Sequence, residues 1–343
     1  MAERKKKPVK ILSFLVKVFI SLGAITWFAS TVEWRQVLVM FNQVNYVFLL
    51  AGFLVFLFRM VPCSTRWLLV CKTSGYPVSF WESFYGYMVG GFFNTFLPSG
   101  RGGDVARSVI IGRYKKYSIG GLMGTILLER FAGLLVTVLI ALLAGLVASE
   151  QVEALRNALP SILLLTVLLV VAGVLMFQPV FQTLFRKITA KLPLQKLWKA
   201  VDDMLSVFAG YRSRPAAIGG VAVFSLFNQI VFVTSGYIVG QAINGFNAPW
   251  YSFWIVVPLI FIAELIPSIG GYGIREAGFV VFFGWFGVKP ESAVVYGLVQ
   301  LSFMWLSALI GVVMFMTGLR GSKQHLEDIQ QVDEQDLVVE PHE

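Results

Sequence analysis

The sequence is poor in the residues on which polar chemistry depends. Charged residues occupy 14% of its 343 positions, whereas a soluble globular domain carries about 25%. The two cysteines, Cys63 and Cys71, lie eight positions apart without a metal-ligand spacing, and the two histidines, His325 and His342, are near the C-terminus. We therefore expect no cofactor: no haem, no histidine-ligated metal and no histidine proton relay.

The motifs of nucleotide-dependent and hydrolytic enzymes are also missing. The glycines at 100–103 are not followed by the Gly-Lys-Ser/Thr of a phosphate-binding loop. Asp202 and Asp203 lie in a basic stretch, where we expect them to cap or decorate an interfacial helix instead of binding a metal–nucleotide. Without a histidine base or a Ser/His/Asp set, we predict that the chain is not an enzyme.

Long apolar runs dominate what is present. Hydrophobic residues make up 57% of the chain and are gathered in blocks, and a helix of about 20 apolar residues crosses a hydrocarbon core of roughly 30 Å. These blocks predict a polytopic α-helical protein whose membrane domain covers residues 11–319. Six stretches approach or exceed the required length, at 11–30, 46–70, 131–148, 161–177, 216–243 and 292–319.

Charge is distributed unevenly between the two ends of the chain. Residues 1–10 form a basic segment that we expect to be cytoplasmic. Residues 320–343 are rich in acidic side chains and lack aromatics, which predicts a disordered, acidic cytoplasmic tail. The remainder of this chain of net charge +9 is strongly basic. In a membrane protein that balance favours anionic lipid head groups as partners, and not nucleic acid.

Lysine and arginine in the short loops predict that both termini are cytoplasmic. If segment 80–97 crossed the bilayer fully, the five cations between 101 and 116 would lie outside, so we predict that it dips in and returns. Segment 252–287, interrupted at 267–273, is predicted to do the same from the outer side. The chain would then have six crossings and two re-entrant hairpins.

The two interrupted segments resemble each other. Residues 94–107 and 263–276 both read apolar-Pro-Ser, then Gly-Gly, then a charged pair. Three predicted crossings separate them, so the halves 46–148 and 216–319 would have opposite topology. We therefore predict an all-α helical membrane bundle with two inverted-topology repeats, each containing a Gly/Pro-broken re-entrant hairpin. A matching pair of such segments is typical of a transporter binding site at a repeat interface.

The candidate binding residues lie at the two hairpins and in the crossing 118–148. Glycine lets backbone amides approach a ligand closely, and the start of a helix favours an anion such as phosphate. Ionisable groups at membrane depth are costly, so they face the bundle interior or a cavity. The candidate substrate-binding residues are Asn94, Arg101, Gly102, Gly103, Asp104, Arg107, Glu129, Arg130, Glu264, Gly270, Gly271, Gly273, Arg275 and Glu276; no metal ligand is among them.

Two interpretations of these charges remain open: an ion-pair network that locks the halves together, or a polar cavity for a charged head group. Adjacent residues on a helix point about 100° apart, so each charge is expected to pair with another helix. We predict that Arg275 and Glu276 pair with the first half, among Asp104, Arg107, Glu129 and Arg130. For Arg59, deep in an apolar run, Glu82 is a candidate partner.

Four spaced motifs resemble the flippase-like membrane protein family, which is related to the transmembrane domain of lysylphosphatidylglycerol synthases. The resemblance covers most of 11–319. The motifs are Leu97-Pro98-Ser99, Gly102-Gly103-Asp104-Val105-Ala106-Arg107, Leu128-Glu129-Arg130, and Pro267-Ser268 with Gly270-Gly271-Tyr272-Gly273-Ile274-Arg275-Glu276-Ala277. Relatives often carry an arginine in the last helix, where this chain has Gln300 and Ser302.

The resemblance implies a multi-pass protein of a bacterial or archaeal plasma membrane that moves a lipid head group between leaflets, with enzymes of lipid pathways as possible partners. The synthases carry a soluble aminoacyltransferase domain that this chain is too short to hold, so we expect it not to make lysyl-lipid. A phosphate-bearing lipid would be held by Arg101, Arg107 and Arg275, because guanidinium binds phosphate bidentately. Asp104, Glu129, Glu264 and Glu276 would orient the arginines or bind a cationic moiety.

Two other functions remain open at this stage. One is a membrane subunit of a lipid-modifying or glycosyl-transfer pathway that does not itself transport lipid. The other is an ion-coupled carrier of a small solute that uses Glu264 or Asp104 as its proton or sodium site.

Overall fold

A computed structural model describes residues 18–318, apart from 28, 97–101, 190–194, 267 and 269. Helices and their short connections account for this part of the chain, and no strand occurs in it. A single 3₁₀ turn, Trp250–Ser252, precedes α12. The helices are α1 (Val18–Trp27), α2 (Trp34–Asn42), α3 (Tyr46–Phe58), α4 (Met60–Thr73), α5 (Phe80–Phe96), α6 (Gly102–Lys115), α7 (Ile119–Ala148), α8 (Glu153–Met176), α9 (Pro179–Thr189), α10 (Gln195–Tyr211), α11 (Pro215–Ala242), α12 (Phe253–Ala263), α13 (Ile274–Gly284) and α14 (Pro290–Thr317).

Within the described residues, five helical segments are long and apolar enough to cross a bilayer. They are Tyr46–Thr73, which joins α3 and α4, and the single helices α7, α8, α11 and α14. Each coincides with a stretch expected from the sequence, so the prediction of a polytopic α-helical membrane protein is confirmed. The first predicted crossing lies partly outside the described residues, where α1 supplies ten helical positions. The two predicted tails, 1–10 and 320–343, lie outside them entirely.

Local sequence signals start several of these helices. The Asn45 side chain accepts hydrogen bonds from the N–H groups of Val47 and Phe48, and the Ser118 hydroxyl accepts one from Gly121. These caps satisfy amides that have no partner within the first turn. Pro215 and Pro290 occupy first-turn positions, where a missing N–H costs nothing.

Helices α5 and α6 pack side by side in opposite directions and are called hairpin 1 below. Lys115 Nζ lies 2.8 Å from Glu82 Oε1 at the open end, and Asn94 Oδ1 accepts the Gly103 N–H at 2.8 Å near the turn. Burial alone would raise the pKa of Glu82, but the Lys115 ammonium and the Ser79 N–H hold that pKa below its ordinary value. Glu82 is thus bound by Lys115, and it is not the partner of Arg59.

Helices α12 and α13 form a second antiparallel pair, called hairpin 2. Tyr251 and Phe286 meet at its open end with ring centroids 6.0 Å apart, and Ile260 packs on Gly278 midway. Near the turns, the Tyr272 hydroxyl of hairpin 2 donates to the Thr95 carbonyl of hairpin 1 at 3.2 Å. The turn ends of the two hairpins therefore touch each other inside the bundle.

The long helices hold the two hairpins by reciprocal packing. Helix α5 of hairpin 1 packs on α14, where Gly311 lies against the Met88 carbonyl, and α12 of hairpin 2 packs on α7. The α3–α4 segment runs antiparallel to α11. The Asn45 N–H donates to the Ala242 carbonyl, and the Ser235 hydroxyl donates to the Gly52 carbonyl. Further along, Gly220 packs on Leu69. An aromatic cluster around Phe253, Phe283 and Tyr296 fills the core beside hairpin 2.

The close approach within hairpin 1 predicts a severe cost for any side chain at Gly103. A Cβ there would meet the Gly90 carbonyl oxygen and the Asn94 side chain at distances far below contact, so backbone must shift. Gly103→Ala should destabilise the protein by about 1–3 kcal/mol or more, the usual cost of overpacking. Gly91→Ala is the matched control, because nothing lies within 4 Å of its Cβ position. Equal melting temperatures for the two variants in detergent would contradict the described packing.

Candidate functional site

Five charged side chains at membrane depth form one connected group, called the Glu129 network: Arg66, Asp104, Arg107, Glu129 and Arg130. The Glu129 side chain is 1% exposed, and two arginines from different helices bind its carboxylate. Arg66 Nη2 lies 2.7 Å from Oε1, and Arg107 Nη2 lies 3.2 Å from Oε2. A buried carboxylate needs this compensation, because its desolvation is costly.

Asp104 connects the network to a more exposed arginine. Its carboxylate is bound by Arg130, with Nη2 at 2.7 Å from Oδ1, and lies 3.9 Å from Arg107. The Arg130 side chain is 47% exposed, whereas those of Arg66 and Arg107 are almost fully buried. Arg130 is therefore the member of the network that an incoming molecule can reach.

The Arg107 guanidinium lies between two aromatic rings. Its Cζ is 4.3 Å from the Trp67 ring centroid and 4.2 Å from that of Tyr87, and Gly86 leaves room for its aliphatic stem. Such cation–π contacts stabilise a desolvated guanidinium by about 2 kcal/mol. The rings do not satisfy its N–H groups, and Nη1 is buried without a hydrogen-bond partner in the described residues.

Arg66 was not among the residues selected from the sequence. It lies two turns inside α4, which continues to Thr73. It also donates to the Ser225 hydroxyl of α11 at 3.0 Å. The signal that identifies Arg66 is its position seven residues after Arg59, within the same apolar segment.

A second group, called the Arg275 cluster, contains Glu264, Arg275 and Glu276 of hairpin 2. Arg275 Nη2 lies 2.9 Å from Glu276 Oε1, and Nη1 lies 3.8 Å from Glu264 Oε1. The prediction that Arg275 and Glu276 pair with the first half was therefore wrong. They satisfy each other because Glu276 bends back to accept the Gly273 N–H at 2.7 Å, which brings its other oxygen under the neighbouring arginine.

The glycines selected from the sequence lie where the two hairpins turn. Gly102 begins α6, and Gly270, Gly271 and Gly273 have positive φ angles before α13. At Gly273, with φ of 83°, a Cβ would also approach the Ser21 carbonyl at 2.7 Å. The Gly103 N–H is already bound by Asn94, and the Gly273 N–H by Glu276. A ligand would therefore find better hydrogen-bond donors in the guanidinium groups than in these two amides. Arg101 lies outside the described residues.

No group of three or more potential metal ligands occurs in the part of the chain that the structure describes. Asp203 accepts a hydrogen bond from Ser118, the cap of α7, and Asp202 pairs with Arg186 at 2.7 Å. Both aspartates lie within α10, where their side chains contact the cap of α7 and Arg186 of α9.

These features define a polytopic α-helical membrane protein with two charged clusters, each carried in part by a helical hairpin. Residues 14–311 match the protein family described as the lysylphosphatidylglycerol synthase TM region, and the chain belongs to this family. No curated protein matches the sequence. The family relation expected from the four motifs is thereby confirmed.

Because two buried arginines share the Glu129 carboxylate, we expect that its removal destabilises the fold. Glu129→Ala leaves Arg66 and Arg107 buried without their carboxylate, which should cost about 3–5 kcal/mol. Asp202→Ala is the control, because the Arg186–Asp202 pair is about half exposed and such pairs contribute within about 0.5 kcal/mol. Thermal unfolding in detergent measures both, and an unchanged melting temperature for Glu129→Ala would refute the proposed compensation.

Proposed function

We propose that this protein moves a phosphate-bearing lipid, of the phospholipid or polyprenyl-phosphate type, between the two leaflets of a membrane. One observation carries the proposal: the Glu129 network contains three arginines and two carboxylates, and Arg107 Nη1 is buried without a partner. An anion is the ligand that would complete such a network. Phosphate fits well, because guanidinium groups bind its oxygens bidentately.

The surroundings of Arg130 suit a lipid better than a small ion. Apolar side chains close to the network in sequence are exposed, among them Phe96, Val105 and Leu127. A bound lipid would place its head group at the network while its acyl chains stay in the bilayer beside such exposed apolar side chains. A solute carrier has no need of an apolar border at its binding site.

We further propose that the two hairpins are re-entrant and belong to inverted-topology repeats at about 46–148 and 216–319. Three contacts support this arrangement. The first helices of the two halves, α3–α4 and α11, run antiparallel; each hairpin packs on the last helix of the other half; and the hairpin turns meet at Tyr272 and Thr95. Transporters with such repeats place their substrate site where the broken segments meet.

The proposed topology has both termini in the cytoplasm of a bacterium or archaeon, and it predicts the sidedness of two exposed positions. A cysteine at Arg113, after hairpin 1, should be protected from an impermeant maleimide in intact cells, because it faces the cytoplasm. A cysteine at Glu150, between α7 and α8, should be labelled. The native Cys63 and Cys71 are buried and give little background. Labelling of the Arg113→Cys variant in intact cells would refute the re-entrant arrangement of hairpin 1.

The proposed function predicts that Arg130 controls lipid exchange. In proteoliposomes with a fluorescent phosphatidylglycerol, Arg130→Gln should slow leaflet exchange by about tenfold or more, because a hydrogen bond to a charged group contributes about 1.5–3 kcal/mol. Arg186→Gln, which alters an exposed pair outside the network, should exchange lipid at the wild-type rate. Dithionite quenching measures the fluorescent lipid in each leaflet.

Two outcomes would count against this function. If folded Arg130→Gln and Arg107→Gln both exchange lipid at the wild-type rate, the charges are structural and a non-transporting membrane subunit becomes the better hypothesis. If the wild-type protein exchanges no phosphate-bearing lipid at all, lipid transfer itself is wrong.

A further inference from the structure

Arg59 is a membrane-depth arginine that belongs to neither charged cluster. It joins α3 to α4 and lies midway along the candidate span Tyr46–Thr73. Its guanidinium carbon is 4.9 Å from the Phe56 ring centroid and 4.4 Å from that of Phe232 on α11. This is the depth at which an uncompensated charge is most costly.

The charge of Arg59 has no counter-ion within the described residues. The Arg59 guanidinium makes no ion pair or hydrogen bond with these residues, and its Nε is buried without a partner among them. Glu82 is bound by Lys115, and Glu264, although within electrostatic range, has its close contact with Arg275. Stacking on rings stabilises the flat faces of a guanidinium but leaves its N–H edge free, which is the edge that binds an oxyanion.

Arg59 also lies between the two clusters. Along its own segment, Arg66 of the Glu129 network follows seven residues later, a rise of about 10 Å. On the other side, Phe232 contacts Phe261, which precedes Glu264 of the Arg275 cluster by three residues. A group that passes from one cluster to the other inside the bundle would meet Arg59 on the way.

We propose that Arg59 is a third, mid-span binding residue for the phosphate group of the lipid, occupied in transit between the Glu129 network and the Arg275 cluster. The inference rests on the proposed function and adds an intermediate station to it. Phe56 and Phe232 hold the guanidinium in place and exclude water from it. The phosphate group, on leaving water, would exchange its own hydration for charge-assisted hydrogen bonds from the arginine. Arg130, Arg59 and Arg275 then form a series of cations inside the bundle.

The strongest rival explanation is internal neutralisation. Glu264 and Glu276 both lie near Arg275, so the cluster carries one excess negative charge that Arg59 could offset from a distance. Under this explanation Arg59 binds no ligand, and removing the Glu264 charge should make Arg59 dispensable. Under the phosphate-binding proposal, removal of Glu264 does not rescue the loss of Arg59.

The test uses the full chain in liposomes with three probes: fluorescent phosphatidylglycerol, fluorescent glucosylceramide, which lacks phosphate, and radiolabelled inorganic phosphate. Arg59→Met should slow phosphatidylglycerol exchange by about tenfold, and Arg59→Lys, which keeps the charge, should recover part of the rate. Any glucosylceramide exchange should be unchanged. Arg59→Met combined with Glu264→Gln should stay as slow as Arg59→Met alone.

Several results would overturn the Arg59 assignment. These are wild-type phosphatidylglycerol exchange by Arg59→Met, restored exchange in the double variant, equal losses for both lipids, or an effect confined to uptake of inorganic phosphate. If Arg59→Met does not fold, the comparison rests on Arg59→Lys. The assignment would then be overturned if Arg59→Lys exchanges phosphatidylglycerol at the wild-type rate and glucosylceramide competes fully with phosphatidylglycerol for exchange. Absence of exchange by the wild type would instead refute the proposed function itself.

Discussion

The Glu129 carboxylate can be buried only because two guanidinium groups bind it from different helices. Arg66 reaches it from α4 and Arg107 from α6, while Glu129 itself lies on α7. The same Arg66 donates to Ser225 on α11. The Glu129 carboxylate and its two arginines therefore join α4 of the first half and α11 of the second half to hairpin 1. The position of hairpin 1 depends on these contacts. Because the guanidinium groups outnumber the carboxylates, the same contacts that stabilise the bundle also leave donors for an anion.

Small residues let the helices come close enough for these charges to meet. Gly103 lies directly on the Gly90 carbonyl within hairpin 1, and Gly311 lies on the Met88 carbonyl between α14 and α5. Between membrane helices there is little hydrophobic driving force, so close backbone packing and polar contacts hold the bundle together. Gly86 has a further role, since its missing side chain makes room for the Arg107 stem beside Trp67.

Much of the architecture could be predicted from the sequence, because apolar length and loop charge act at the level of whole segments. The five long spans and the charged motifs of both hairpins were identified in this way. The partners of individual charges could not be predicted, because they depend on helix ends and rotamers. Glu276 caps the start of α13 and so meets the adjacent Arg275. Arg66 lies two turns before the end of α4, and its contact with Glu129 on α7 depends on how these helices pack.

The family relation and the two clusters together suggest a path for a head group past a series of arginines. The most direct test is a structure of the protein in nanodiscs of phosphatidylglycerol. The account predicts a lipid phosphate within hydrogen-bonding distance of the Arg130 or Arg59 guanidinium, with acyl chains leaving between the helices. A well-resolved structure with no lipid between the hairpins, and with Arg59 and Arg107 fully paired with protein groups, would contradict it.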